Sequence, residues 1–118
     1  MASKKQSVKI PVSGSIVLID LGNAPFGHEQ AGLRPGVVLS EQNGVVIMIP
    51  LTTNTAALRF SATFAITDDK ENGLTTPSVA LVFQMRAIDV GRIVKHIGLV
   101  SVKDARLLNK IIRSVTTL

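Results

Sequence analysis

The sequence predicts a mainly β fold with one helix: a small barrel or twisted antiparallel sheet closed by a C-terminal helix. Three observations carry this. Two apolar, β-branched runs, Val37 to Ser40 and Val45 to Leu51, flank Asn43-Gly44, and both turn residues tolerate the positive φ of a type I′ hairpin. At Ser101 the spacing of apolar residues changes from a strand-like to a helical period. The length, 118 residues with 46% apolar content, suits one domain with a buried core.

Residues 1 to 10 read as a flexible basic arm, and residues 11 to 118 as the single domain. Ser15 to Leu21, short, β-rich and bounded by Gly14 and Gly22, is the first strand. Between Gly22 and Pro35, three Gly and two Pro exclude a helix or a sheet interior, and a loop of this length is usually functional or disordered. The hairpin follows, and its runs are apolar on both faces, which makes its strands central in the sheet. A third pair is expected from Arg59 to Ile66 and Ser78 to Ile88, separated by the turn-like Asp68 to Gly73. Val94 to Val100 is a weaker strand interrupted by Gly98. Ser101-Val102-Lys103-Asp104 resembles a capping box with Asp in the Glu position. After it, Ala105, Leu108, Ile112 and Val115 recur at three- or four-residue spacing, the mark of an amphipathic helix of about fourteen residues.

Composition removes whole classes of function. The longest apolar run, Val45 to Leu51, contains a proline and falls far short of the roughly 18 residues of a membrane span. No apolar stretch follows Lys4 and Lys5 as a signal sequence requires, so a soluble cytoplasmic protein is expected. With no Cys and only His28 and His96, which reads as structural, neither a zinc site nor a thiol nucleophile is at hand, and no metal or cofactor is expected. Gly22, Gly27 and Gly32 lack the phosphate-loop spacing and open into a strand, and no segment offers a serine-hydrolase elbow. The formal charge of +5 is uneven. Residues 1 to 9 hold three lysines and no acid, and residues 86 to 118 hold seven basic residues against Asp89 and Asp104. Such ends suit a polyanion or an acidic protein, although Lys103, Arg106, Lys110 and Arg113 read equally well as a solvated helix face. Of four Phe, only Phe26 in the long loop suggests itself for stacking on a base.

What remains is a polar cluster: His28, Glu29, Gln30 and Arg34, with Thr52, Thr53 and Asn54 after the hairpin. Antiparallel strands run in opposite directions, so the start of one lies beside the end of the other. The hairpin therefore brings Arg34 and Thr52 to the same edge. By residue type alone, Arg34 suits either an anion or an ordinary surface ion pair, and Thr52 either chemistry or a loop cap.

Three blocks, Gly27 to Ser40 (GHEQAGLRPGVVLS), Pro50-Leu51-Thr52-Thr53 and Ser78 to Asp89 (SVALVFQMRAID), resemble the MazF/PemK family of toxin endoribonucleases. The match runs from about Gly14 to the C-terminus, and the first block is the specific one. The resemblance implies an SH3-like barrel, a homodimer, and metal-independent, sequence-specific cleavage of single-stranded RNA such as mRNA. It also implies an antitoxin whose acidic, disordered tail occupies the RNA groove. In the family, the arginine before proline and the hydroxyl residue of the Pro-x-Thr block are the catalytic pair, which lands on Arg34 and Thr52. Glu29 is then a base or an organiser of Arg34. Phe26, His28, Gln30, Thr53, Asn54 and Arg86 become candidates for RNA contact, Arg86 alternatively supporting, with Gln84, the first loop or the dimer. Specificity falls to Phe26 to Leu33 and Thr53 to Leu58. His28 departs from the commonest pattern, a small polar residue, and is either a proton carrier or a solvated loop histidine. The competing functions are a non-catalytic toxin on the same fold, as in gyrase-poisoning relatives, or an RNA-binding module without activity.

Overall fold

The computed structural model describes residues 12–22 and 32–116. The basic arm expected over 1 to 10, and with it Phe26, His28, Glu29 and Gln30, lie outside the described residues. Strand β1 (Ser15–Asp20) runs between Gly14 and Gly22, both at positive φ, and pairs with β2 (Leu33–Gln42). Asn43 at φ 56° and Gly44 at φ 81° then turn the chain into β3 (Val45–Thr52). Positive φ at both positions is the type I′ geometry expected of Asn-Gly. The Glu41 carboxylate accepts from the Gly44 N–H at 2.8 Å and braces the turn.

The third pair is shorter than its sequence suggests. Only β4 (Thr63–Ile66) and β5 (Ser78–Leu81) pair; of the expected strand Arg59 to Ile66, Arg59 ends a 3₁₀ turn, Thr55–Arg59, and the next three residues lie outside any strand. The cause is local. Asn54 Oδ1 accepts from the Ala56 N–H, the Phe60 N–H donates to the Ala57 carbonyl, and Arg59 donates to the Ala56 carbonyl, so short-range bonds satisfy a backbone that alternation would have left to a ladder. A second 3₁₀ turn, Val82–Gln84, breaks the expected strand Ser78 to Ile88 and separates β5 from β6 (Arg86–Asp89). The break lets one stretch of chain serve two parts of β3. β5 pairs with Leu51 and Thr52, whereas β6 pairs with Val45 to Met48. A third 3₁₀ turn, Val90–Arg92, leads to β7 (Ile93–Leu99), and helix α1 (Val102–Thr116) follows. The Ser101 hydroxyl accepts from the Asp104 N–H at 3.0 Å, which is the N-cap half of the expected capping box.

The described strands form one antiparallel sheet in the order β4-β5-β3-β2-β1-β7, with β6 also on β3. Each hairpin strand is therefore central, and each face carries its own core. One face gathers Ile16, Val37, Ile49, Leu51, Ile66 and Val82 beneath Ala105, Leu108, Ile111 and Ile112 of α1. Fully burying a side chain such as Leu108 contributes about 1.5–3 kcal/mol. The other face gathers Val17, Ile19, Val38, Val46, Met48 and Ile88, and the sheet curls around them. Two cores explain why Val45 to Leu51 is apolar without alternation. Of the two forms expected, a small barrel or a twisted antiparallel sheet, the structure takes the second, because the sheet does not close into a barrel. The turn Val90–Arg92 links β6 to β7, but those two strands do not pair, so a curled, open sheet stands in its place. No helix of the described residues is long and apolar enough to cross a membrane.

Candidate active site

The two ends of the β2–β3 hairpin are built differently. Pairing runs from Gln42 with Val45 at the turn to Gly36 with Pro50, after one bulge between Val38 and Ser40. Beyond that point the two strands follow other neighbours: Arg34 pairs with Ile19 of β1, and Thr52 with Val79 of β5. One proline contributes to the parting. Pro35 has no N–H to give on the side that faces β3, so the ladder between β2 and β3 loses a donor next to Arg34. Arg34 and Thr52 each lie two residues beyond the last pair, Gly36 with Pro50, at the same end of the hairpin.

Both side chains leave the same face. Residues directly opposite in antiparallel strands share a face, and residues two apart along a strand do as well. Arg34 is opposite Ile19, which belongs to the curled core, and a Cβ added to Gly36 would meet Met48 Cε at 2.3 Å and Ile19 Cδ1 at 3.0 Å. Thr52 is four residues from Met48 and shares its face. The pair therefore stands at the open end of the curled sheet, where the apolar interior stops.

Arg34 is half-buried, and Thr52 is 9% exposed, with its Oγ1 accepting from the Asn54 N–H at 3.2 Å. A hydroxyl that accepts from the backbone keeps its own proton to donate. Thr53 and Asn54 are exposed beside it, Asn54 also capping the first 3₁₀ turn through Oδ1. Arg86 is exposed and pairs with Met48, which places it on the same face. Four residues along β3 at about 3.3 Å each separate its level from Thr52 by about 13 Å, a span of two nucleotides in an extended strand. His96, taken from sequence as structural, is exposed on the edge strand β7. Among the described residues no group of three His, Cys, Asp or Glu side chains could hold a metal ion.

Sequence reasoning overlooked an aromatic pair at the end of the first 3₁₀ turn. Ala57 packs against Val79 and Leu81, whose side chains share the face of Thr52, so the turn Thr55–Arg59 lies beside that hydroxyl. At its end Phe60 meets Phe83 with ring centroids 5.7 Å apart and planes 59° apart, and the Arg59 guanidinium lies 4.3 Å from the Phe60 centroid. Phe60 and Phe83 are 40% and 45% exposed. The signal was hidden because Phe60 and Phe83 fall inside runs that read as strand. Only the 3₁₀ breaks bring the rings together.

A family model described as PemK-like, MazF-like toxin of type II toxin–antitoxin system matches residues 13–116. Among solved structures, MazF from Deinococcus radiodurans is 22% identical with a TM-score of 0.73, over 93% of this chain and 99% of that one. The MazE–MazF complex from the same organism gives 22% and 0.68, over 91% and 96%. An endoribonuclease in complex with its cognate antitoxin, from a mycobacterial species, gives 17% and 0.64, over 92% and 94%. These likenesses show a shared fold. No curated protein matches the chain.

Proposed function

This chain belongs to the PemK-like, MazF-like toxins of type II toxin–antitoxin systems, and on that premise we propose that it is a metal-independent endoribonuclease acting on single-stranded RNA. The observation that supports this most is that Arg34 and Thr52 lie at the same parted end of the hairpin, on one face of the sheet. In the proposed reaction the 2′-oxygen attacks the adjacent phosphorus as its proton passes to a base. The bond from phosphorus to the 5′-oxygen breaks, and that oxygen takes up a proton. A 2′,3′-cyclic phosphate and a 5′-hydroxyl remain. Charge grows on the phosphate oxygens, and the planar guanidinium of Arg34 pairs with two of them at once. The Thr52 hydroxyl, its oxygen engaged by the Asn54 N–H, donates its proton to one such oxygen. Glu29 is assigned as the base or as the organiser of Arg34. Phe26, His28, Gln30, Thr53, Asn54 and Arg86 hold the flanking nucleotides.

The same reading assigns a homodimer of cytoplasmic location, a single domain over 11 to 118, and a partner antitoxin whose acidic tail competes with RNA for the cleft. Sedimentation should then give about twice 12.5 kDa. The decisive test is incubation of a long unstructured RNA with purified protein in a chelator, followed by sequencing of the new 5′ ends. Discrete cuts with 5′-hydroxyl ends are expected. Arg34→Ala should lower the rate by about 10² to 10³, and Arg34→Lys should not restore it. Intact RNA with the wild-type chain, above all together with inhibited gyrase, overturns the reading.

A further inference from the structure

We propose that Arg59, Phe60 and Phe83 form a stacking shelf for a nucleobase flanking the scissile bond, an inference that rests on the ribonuclease reading above. The placement comes from the sheet. Thr52 pairs with Val79, the side chains of Val79 and Leu81 rise on the same face as Thr52, and Ala57 seats the turn Thr55–Arg59 against them. The turn that carries Arg59 and leads into Phe60 is therefore one strand away from the Thr52 hydroxyl. The shelf's second ring arrives through the other 3₁₀ turn, where the Phe83 N–H donates to the Ala62 carbonyl and draws Val82–Gln84 against the β4 side.

Its composition selects an RNA base over a protein side chain. Two half-open rings supply the flat apolar area that any base covers, and single-stranded nucleic acid is gripped in this way. Arg59 donates to the Ala56 carbonyl and lies on Phe60, so its guanidinium is held rather than swinging, with further N–H groups left for the phosphate of the stacked nucleotide. A positive charge fixed beside an exposed ring fits a nucleotide, which brings a π face and an anion together. The two rings themselves offer no donor or acceptor to a base edge, so they contribute affinity and position.

The test uses the full-length chain and an RNA oligonucleotide centred on a cut site mapped by end sequencing, with 2′-deoxyribose at the scissile position so that binding is measured without cleavage. Phe60→Ala and Phe83→Ala should each weaken binding by about tenfold to a hundredfold, and Phe60→Tyr should retain it. Abasic substitutions are then walked along the oligonucleotide. One flanking position should weaken binding to the wild-type chain but not to Phe60→Ala, since the same contact cannot be lost twice. Phe60→Leu keeps a large apolar side chain without the ring and guards against a variant that fails to fold; it should behave as Phe60→Ala. RNA that is cut normally while no abasic position couples to Phe60 overturns the shelf and leaves the ribonuclease reading standing. So does a Phe60→Ala chain that turns monomeric with unchanged RNA affinity, which would make the patch a protein interface. RNA neither bound nor cut by the wild-type chain overturns both.

Discussion

The turn end and the open end of the β2–β3 hairpin are made by the same two strands under opposite rules. At Asn43-Gly44 every local preference agrees: positive φ at two residues that tolerate it, a two-residue loop, and a carboxylate on the Gly44 N–H. At Arg34 and Thr52 the local preferences conflict, because Pro35 withholds a donor that would help to keep the strands together. The difference shows how a small sheet makes a cleft. One end is locked so that the other can part by a fixed amount, with each parted strand still held by an outer neighbour, β1 or β5. Function should therefore be sensitive at the open end and stability at the closed end, and substitutions along the hairpin can break that division.

The largest effect is expected from Thr52→Val. Valine keeps the shape and suits a strand, but removes the proton offered to the phosphate. Cleavage should slow by about 10² or more, with thermal unfolding shifted by only a few degrees for the lost bond from the Asn54 N–H. Thr52→Ser should recover most of the rate. A Thr52→Val chain that cuts at the wild-type rate would reduce Thr52 to a loop cap.

Gly36 stands between the two regimes, and Gly36→Ala should disturb both. Its methyl group would fall 2.3 Å from Met48 Cε and 3.2 Å from the Ile49 carbonyl, so the Met48 tip must move. Overpacking of this kind costs about 1–3 kcal/mol. The melting temperature should fall by several degrees, and the rate with it, because Arg34 lies two residues away. Pairing Gly36→Ala with Met48→Ala should cost less than the two changes summed, since the new methyl enters the space vacated. Strict additivity in calorimetric melts would show that the strain lies elsewhere.

Much of this division is legible in the sequence. The hairpin, its type I′ turn, the N-cap at Ser101 and the presence of Arg34 and Thr52 at one end of the hairpin all follow from local chemistry or from the direction of antiparallel strands. The three 3₁₀ turns do not, and they decide the rest. Alternation over Arg59 to Ile66 and continuous apolarity over Ser78 to Val82 mask places where a side-chain cap and a change of partner strand interrupt the ladder. Open closure of the barrel is hidden for the same reason, as it depends on whether Val90–Arg92 brings β7 within pairing distance of β6. The aromatic shelf inherits this difficulty: Phe60 and Phe83 are far apart in the chain and meet only because both breaks occur.

At the closed end the effects should be smaller and confined to stability. Gly44 sits at φ +81° with open space around its Cα, so Gly44→Ala meets no clash but must hold an L-residue in the left-handed region, at about 1–2 kcal/mol. For a domain of this size that lowers the melting temperature by about 4 °C per kcal/mol. Cleavage at a temperature where the chain stays folded should be unchanged.

The smallest expected effect, and the sharpest check on the comparison, is Glu41→Ala. It removes the acceptor 2.8 Å from the Gly44 N–H in a part-buried setting, and a bond of this kind contributes about 0.5–1.5 kcal/mol. Glu41→Gln keeps an acceptor oxygen and should fall between the wild type and Glu41→Ala in urea-unfolding midpoint, with equal m-values. Neither should alter kcat or KM, because the Val90 N–H donates to the Gly44 carbonyl and holds the turn in place without the carboxylate. A change in kcat from Glu41→Ala without a change in midpoint would mean that the turn transmits its geometry along both strands to the cleft, and that the two ends are one mechanical unit.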